Sequence, residues 1–147
     1  MASNITITRF LNGQIGYKAV IDHIESKVVE QGCKSLNGMT GMCAYRGANG
    51  TKCGIGFIIP DSRYKKRFDD DSVSAGPIRN VISYEQNTKS LGIDTAISKL
   101  GSVEWTYRVN FLNDIQLAHD KALNNGFVDN FKNKMAIVRF KYINELR

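Results

Sequence analysis

The stretch CAYRGANGTKCGIG, residues 43–56, brings together residue types that carry chemistry in small proteins. Cys43 and Cys53 are candidate metal ligands or redox thiols. Arg46 and Lys52 are candidate anion ligands, and the glycines around them allow a phosphate to approach the backbone closely. The stretch is therefore compatible with a metal or redox site, a phosphate-binding loop, or a tight β-hairpin whose cysteines are small core residues.

The Asn-Gly pair at 49–50 favours the hairpin, because a type I′ turn requires positive φ at both central residues. The length of the loop then decides where the cysteines point. A two-residue loop places Arg46 opposite Cys53 and directs Cys43 and Cys53 to opposite faces of the ribbon. A three-residue loop with a glycine bulge places Tyr45 opposite Cys53 and puts both cysteines on one face. The sequence leaves both registers open.

The phosphate and metal interpretations have weaker support. The glycines do not form a Walker loop or a dinucleotide fingerprint, because no GK[ST] follows and the chain continues into FIIPD rather than into a helix. The cysteines lack the short spacing of a zinc knuckle. The metal alternative consists of Cys43, Cys53 and His119, and we expect neither a metal nor another cofactor.

A second group of polar residues, Gln116, His119 and Asp120, falls on a long predicted helix. Gln116 and His119 lie within its apolar stripe, and Asp120 lies at the border. Buried polar groups require hydrogen-bond partners, so a satisfied structural network is the favoured interpretation. The alternative is a cysteine–histidine nucleophile formed where this helix meets the hairpin. No complete catalytic set can be assembled, and we assign no catalytic residue.

Together these segments resemble a family of small uncharacterised tailed-bacteriophage proteins. The similarity covers an ITITRF start, a helix ending in EQGCKS, the CAYRGANGTKCGIGFIIPDSRY core and a later LNDIQLAHD helix. Gly54 stands where the family usually has alanine. The matching core and helix residues are Cys43, Tyr45, Arg46, Gly47, Gly50, Lys52, Cys53, Gly56, Ile59, Asp61, Tyr64, Gln116, His119 and Asp120.

The resemblance implies a phage-type origin and a shared core, without a known reaction. Because the hairpin and the QLAHD helix occur together in the family, we expect them to meet in the fold. We expect Arg46 to pair with Asp120 or Asp61, and Tyr64 to cover the cysteines. The candidate binding residues are Arg46, Lys52, Tyr45, Tyr64, Asp61, Gln116, His119 and Asp120.

The elements that position these residues are mostly helical. We predict a strand at 4–9, a solvated excursion at 65–76 and helices at about 15–31, 77–89, 94–101, 103–123 and 128–146. Gly32 is the expected C-cap of the first long helix. The fold class is α+β: a mostly helical single domain, 1–147, with a β-hairpin at about 43–58 packed on the helices.

Composition limits the class of protein and the compartment in which it works. The chain has 147 residues and a net charge of +6, with no apolar run long enough to span a bilayer and no recognisable signal peptide. We therefore expect free thiols and a cytosolic protein. The resemblance to phage proteins implies that this is the cytoplasm of an infected bacterial host. The last helix carries a basic stripe of Lys132, Lys134, Arg139 and Lys141.

The expected function is that of a phage accessory protein. It would bind a host protein or a nucleotide-type ligand, in host takeover or anti-defence. One alternative is a nucleic-acid-binding protein that uses the basic stripe, and another is a cysteine/histidine-dependent enzyme. Oligomeric state does not follow from the sequence.

Overall fold

The structure is a computed structural model that describes residues 5–39, 41–62, 64, 69 and 102–144. These residues form four helices: α1 (Ile7–Leu11), α2 (Tyr17–Gln31), α3 (Ser102–Asp120) and α4 (Phe127–Arg139). A π-helical turn, Phe140–Asn144, continues α4. The domain is thus mostly helical, as expected. The predicted helices at 77–89 and 94–101, and the 65–76 excursion apart from Asp69, lie outside the described residues.

The predicted strand at 4–9 is wrong, because the chain enters α1 at Ile7. The Thr6 side chain caps this helix by accepting a hydrogen bond from the Arg9 amide at 3.1 Å. Ile7, Phe10 and Leu11 are all fully buried, at the spacing of one helical face. A cap and three buried side chains therefore outweigh the local β propensity of the β-branched residues.

The long helices agree with the periodicity of the sequence. α2 ends at Gly32, whose φ of 80° is the expected left-handed C-cap. α3 ends at Asp120, slightly before the predicted end near 123. A short turn containing Gly126, at φ 70°, joins α3 to α4, so that these two helices pack as an antiparallel pair. α2 packs against α4, and α1 packs against α3.

The predicted β-hairpin is not formed as paired strands, because the described residues contain only isolated bridges in this region. Asn49 and Gly50 both have positive φ, 61° and 74°, as a tight turn of this kind requires. Arg46 forms an antiparallel bridge with Lys52, the register of the three-residue alternative. Residues Ile55–Ile58 then form a 3₁₀ turn against α2 and α3 instead of a strand.

Side chains take the place of a neighbouring strand along this segment. The Gln31 amide donates to the Lys52 carbonyl and accepts from the Lys52 N–H, both at 2.9 Å. The Asp69 carboxylate accepts from the Tyr45 and Arg46 amides at 2.8 and 3.1 Å. Backbone groups satisfied in this way do not require a β ladder, which explains why the hairpin pattern produces an irregular loop. We call residues 43–59 the cysteine loop.

Candidate functional site

The cysteine loop and the end of α3 meet in a buried group of polar side chains. We call this group the polar cluster, and its members are Ser35, Cys43, Cys53, Gln116, His119 and Asp120. Ser35, Cys53 and His119 are fully buried, and Gln116 is nearly so. Because α3 presents Gln116, His119 and Asp120 on successive turns toward the loop, the cluster joins the loop to the helical core.

His119 uses both of its ring nitrogens within the protein. Its Nε2 accepts the Ser35 backbone N–H at 3.0 Å, and its Nδ1 lies 2.8 Å from the Asp120 carboxylate. An acceptor at Nε2 places the ring proton of a neutral imidazole on Nδ1, where it is donated to Asp120. This assignment of the tautomer follows from the hydrogen-bond pattern. The arrangement orients His119 and leaves no ring lone pair for another ligand.

Gln116 extends the network from Asp120 to Cys53. Its amide nitrogen lies 3.1 Å from both carboxylate oxygens of Asp120, and its carbonyl oxygen accepts from the Cys53 thiol at 3.1 Å. The Cys53 sulfur in turn accepts the Gly56 backbone N–H at 3.3 Å. Lys34 donates to the Asp120 carbonyl at 2.8 Å. The chain of bonds therefore runs unbroken from the loop backbone to the end of α3.

The two cysteines are poorly suited to act as nucleophiles. Burial, followed by the nearby Asp120 charge, raises the pKa of Cys43 to about 12. The same two causes raise the pKa of Cys53 well above its ordinary value. The Cys43 thiol points to the Asp120 carbonyl at 3.9 Å, while Cys53 is bonded to Gln116. Since the thiolate is the reactive form, this environment disfavours the enzyme alternative.

One trio of possible metal ligands lies in the cluster, and it differs from the expected one. The donor atoms of Cys43, His119 and Asp120 lie within 4.8 Å of one another. Asp120 thus takes the place of Cys53, which contacts Gln116 instead. Coordination at Nδ1 would require moving the ring proton to Nε2, where it would face the Ser35 N–H. The geometry around His119 therefore fits a hydrogen-bond network better than a metal centre. Within the described cluster, the buried Ser35 hydroxyl is the side-chain oxygen without a hydrogen-bond partner.

Arg46, Asp61 and Tyr64 form a second, more exposed group beside the turn. Arg46 pairs with Asp61 at 3.0 Å, one of its two expected partners, whereas Asp120 contacts Gln116 and His119. The guanidinium also donates to the Ile59 carbonyl. Tyr64, expected over the cysteines, lies against Arg46 with 5.0 Å between the guanidinium and the ring centre. Arg46 therefore anchors the loop and is already occupied.

The other loop residues are also engaged. Lys52 lies 3.6 Å from the Asp61 carboxylate and 5.8 Å from the centre of the Phe57 ring. Tyr45 is fully buried. With its cations facing Asp61, the turn does not present the anion-binding cradle that its glycines allow.

The basic stripe of α4 is largely paired. Arg139 lies 2.7 Å from both Asp22 and Glu25 on α2 and thereby ties the two helices together. Lys141 lies 3.3 Å from Asp114, whose carboxylate also accepts the Tyr142 hydroxyl at 2.6 Å. Lys132 and Lys134 make no ion pair within the described part of the chain. The stripe is therefore less basic than its sequence indicates.

An open groove of about 300 Å³ runs between α3 and α4, and the sequence did not reveal it. Each side presents a charged residue, two apolar residues and a lysine at helical spacing. We call it the α3–α4 groove, and its lining residues are Asp114, Leu117, Ala118, Lys121, Lys134, Ile137, Val138 and Lys141. Ile137 is 70% exposed and Leu117 39%, which leaves apolar surface open to solvent.

Sequence reasoning missed several residues on which these sites depend. Gln31, Ser35 and Asp69 provide or receive hydrogen bonds that organise the loop. No local pattern marks them, because their partners lie far away in the chain. The position of Asp114 beside the groove could have been predicted. It precedes Leu117 by three residues and Ala118 by four, a spacing that places the three side chains next to one another on a helix.

The chain matches no family model, no curated protein and no solved structure. Among the described residues, no helix is both long and apolar enough to cross a membrane. The functional assignment therefore depends on the geometry of the polar cluster and the α3–α4 groove.

Proposed function

We propose that this protein acts by binding a protein partner in the α3–α4 groove and not by catalysis. The observation that carries the proposal is the exposed apolar surface of Leu117 and Ile137 between the lysines of the groove. Grooves between helices that combine an apolar floor with a charged rim are common docking sites for amphipathic segments. The neighbouring Phe140, 62% exposed, extends the apolar surface along α4.

The polar cluster is not arranged for nucleophilic catalysis, and this favours a binding role. His119 is held by Ser35 and Asp120, and the thiol pKa of Cys43 is raised to about 12. A nucleophile needs a lowered thiol pKa or a free base beside it. The cluster instead stabilises the loop against α3, and the neighbouring face of the same helix is free to bind.

A protein segment fits the groove better than the two other ligand classes. A nucleic acid requires an array of free cations, but Arg139 and Lys141 are paired with acidic residues. A nucleotide-type ligand is typically held by an aromatic group that stacks on the base, and the side chains lining the groove are aliphatic or charged. If the phage-type origin implied by the resemblance holds, the partner is a host protein, bound in host takeover or anti-defence.

A comparative pull-down from a bacterial lysate tests the proposal. Ile137→Glu introduces a charge into the apolar lining of the groove, and Ala136→Glu introduces the same charge at an exposed neighbouring position outside the lining. We expect a host protein that wild type and Ala136→Glu retain and that Ile137→Glu loses. If every retained protein binds all three forms equally, the groove is not the binding site and the proposal fails.

A further inference from the structure

The two ends of the α3–α4 groove carry different charge. Because the helices are antiparallel, Asp114 faces Lys141 at one end, where the two side chains are 3.3 Å apart. Lys121 and Lys134 lie at the other end, about 10 Å further along the helix axes for seven residues. One end is therefore neutralised by an internal ion pair, and we call the other the cationic end.

Lys121 and Lys134 have no ion pair or side-chain hydrogen bond within the described ranges, unlike Lys141. Two ammonium groups at one end of a groove repel each other, and a carboxylate placed between them relieves that repulsion. The apolar side chains of Leu117 and Ile137 separate this end from Asp114. The lining thus offers one anion position and one apolar position at a defined separation.

Resting on the proposed function, we infer that the occupant is an amphipathic helix whose acidic end lies on Lys121 and Lys134. Its apolar face packs on Leu117 and Ile137, and its neutral end lies over the Asp114–Lys141 pair. A helix suits the space because its own side chains repeat at the same three- and four-residue spacing as the lining. The net charge of +6 further favours an acidic partner over a second copy of this chain.

Asp114 acts here as a specificity-determining residue. It occupies Lys141 and accepts the Tyr142 hydroxyl at 2.6 Å, which holds the carboxylate in place. A partner carboxylate is therefore rejected at this end and accepted at the cationic end. Asp114→Asn keeps an acceptor for Tyr142 but frees Lys141, so the variant should accept acidic groups at both ends.

Two designed peptides of about four helical turns (~14 residues) provide the probe. Both carry leucines along one face, and they differ in having two glutamates or two glutamines in the first turn, where a negative charge is compatible with the helix dipole. We expect the glutamate peptide to bind about three- to tenfold more tightly, by an amount that decreases with added salt. Lys121→Gln and Lys134→Gln should each remove part of that preference, whereas Lys132→Gln, outside the lining, should not.

A nitroxide label on the acidic end of the peptide reports the orientation of the bound peptide in the groove. In wild type it should broaden the amide signals of residues 121–126 more than those of residues near Asp114, and Asp114→Asn should reduce this difference. Equal affinity of the two peptides, equal broadening at both ends in wild type, or no saturable binding at millimolar peptide would each overturn the inference. If both peptides bind equally and Ile137→Glu abolishes both, the groove remains a docking site and only the acidic specificity fails.

Discussion

The same two turns of α3 present two different surfaces, and the contrast between them separates structure from function. Gln116, His119 and Asp120 point toward the cysteine loop, where each finds a hydrogen-bond partner. Leu117 and Lys121 point outward into the α3–α4 groove, where apolar and charged groups remain open. The residues with the most reactive chemistry are thus the most fully satisfied, and ordinary leucine and lysine residues form the surface available for binding.

The difference follows from burial. An unsatisfied polar group in the interior costs about 1–3 kcal/mol, so the inner face of α3 accepts polar residues only where partners are present. At the groove, water solvates the lysines, and a folded chain can leave some apolar side chains exposed on its surface. The inner face should therefore govern stability, and the outer face should govern binding with little effect on stability.

Thiol reactivity should give the largest effect. A pKa of about 12 instead of the ordinary 9.0 lowers the thiolate fraction of Cys43 at neutral pH about a thousandfold. With a chromogenic disulfide reagent we expect the exposed Cys33 to react rapidly, and Cys43 and Cys53 to react only after unfolding. Rapid labelling of Cys43 in the native protein, resolved by mass spectrometry, would restore the enzyme alternative.

His119→Leu should destabilise the fold by about 3–5 kcal/mol, because it leaves the Ser35 N–H and the Asp120 carboxylate buried without this partner. Urea unfolding followed by circular dichroism measures the change. His119→Gln, which retains an acceptor for Ser35, should lose less. If both variants are as stable as wild type, the polar cluster does not hold the loop to α3.

Arg139→Gln should cost about 0.5–1 kcal/mol at neutral pH, since the guanidinium pairs with Asp22 and Glu25 but remains partly exposed. A hydrogen bond from Lys18 lowers the pKa of Asp22; burial opposes this, and Arg139 lowers the pKa further. The stability that the ionised Asp22 contributes through this pairing is fully present above the ordinary pKa of 3.8. It is lost as the pH falls through the lowered pKa of the folded protein. The difference between variant and wild type should therefore shrink below about pH 4, and a constant difference down to pH 2 would contradict the pairing.

Ile137→Ser should have the smallest effect, within about 0.5 kcal/mol, because the side chain is 70% exposed. Phe131→Ala, on the same helix but fully buried, is the matched comparison and should cost about 3–5 kcal/mol. Thermal and urea unfolding of the two variants test whether the exposed apolar lining of the groove is dispensable for folding. A large loss of stability in Ile137→Ser would make the groove part of the core.

The sequence predicted α2 and α3 with their approximate ends and the start of α4, because apolar periodicity and cap residues such as Gly32 act over a few neighbouring positions. The predicted end of the last helix near 146 was less accurate, because α4 ends at Arg139 and continues as a π-helical turn to Asn144. It also predicted the positive φ angles at Asn49 and Gly50, which depend on the turn residues themselves. The contact between Arg46 and Asp61 was one of two alternatives. Which of the two acidic partners Arg46 contacts depends on the path of the loop, and the local sequence pattern does not determine that path.

Tertiary structure decided the rest, because the decisive hydrogen bonds join distant parts of the chain. Gln31 satisfies Lys52 across 21 residues, which replaces the expected β ladder. Ser35 receives its partner His119 from 84 residues away, which fixes the ring and closes the cluster. The groove likewise arises only when the outer faces of α3 and α4 are placed side by side. Local sequence therefore determined the three long helices, whereas α1 formed against its local β propensity through capping and burial. Long-range pairing determined which helix faces are closed and which remain open.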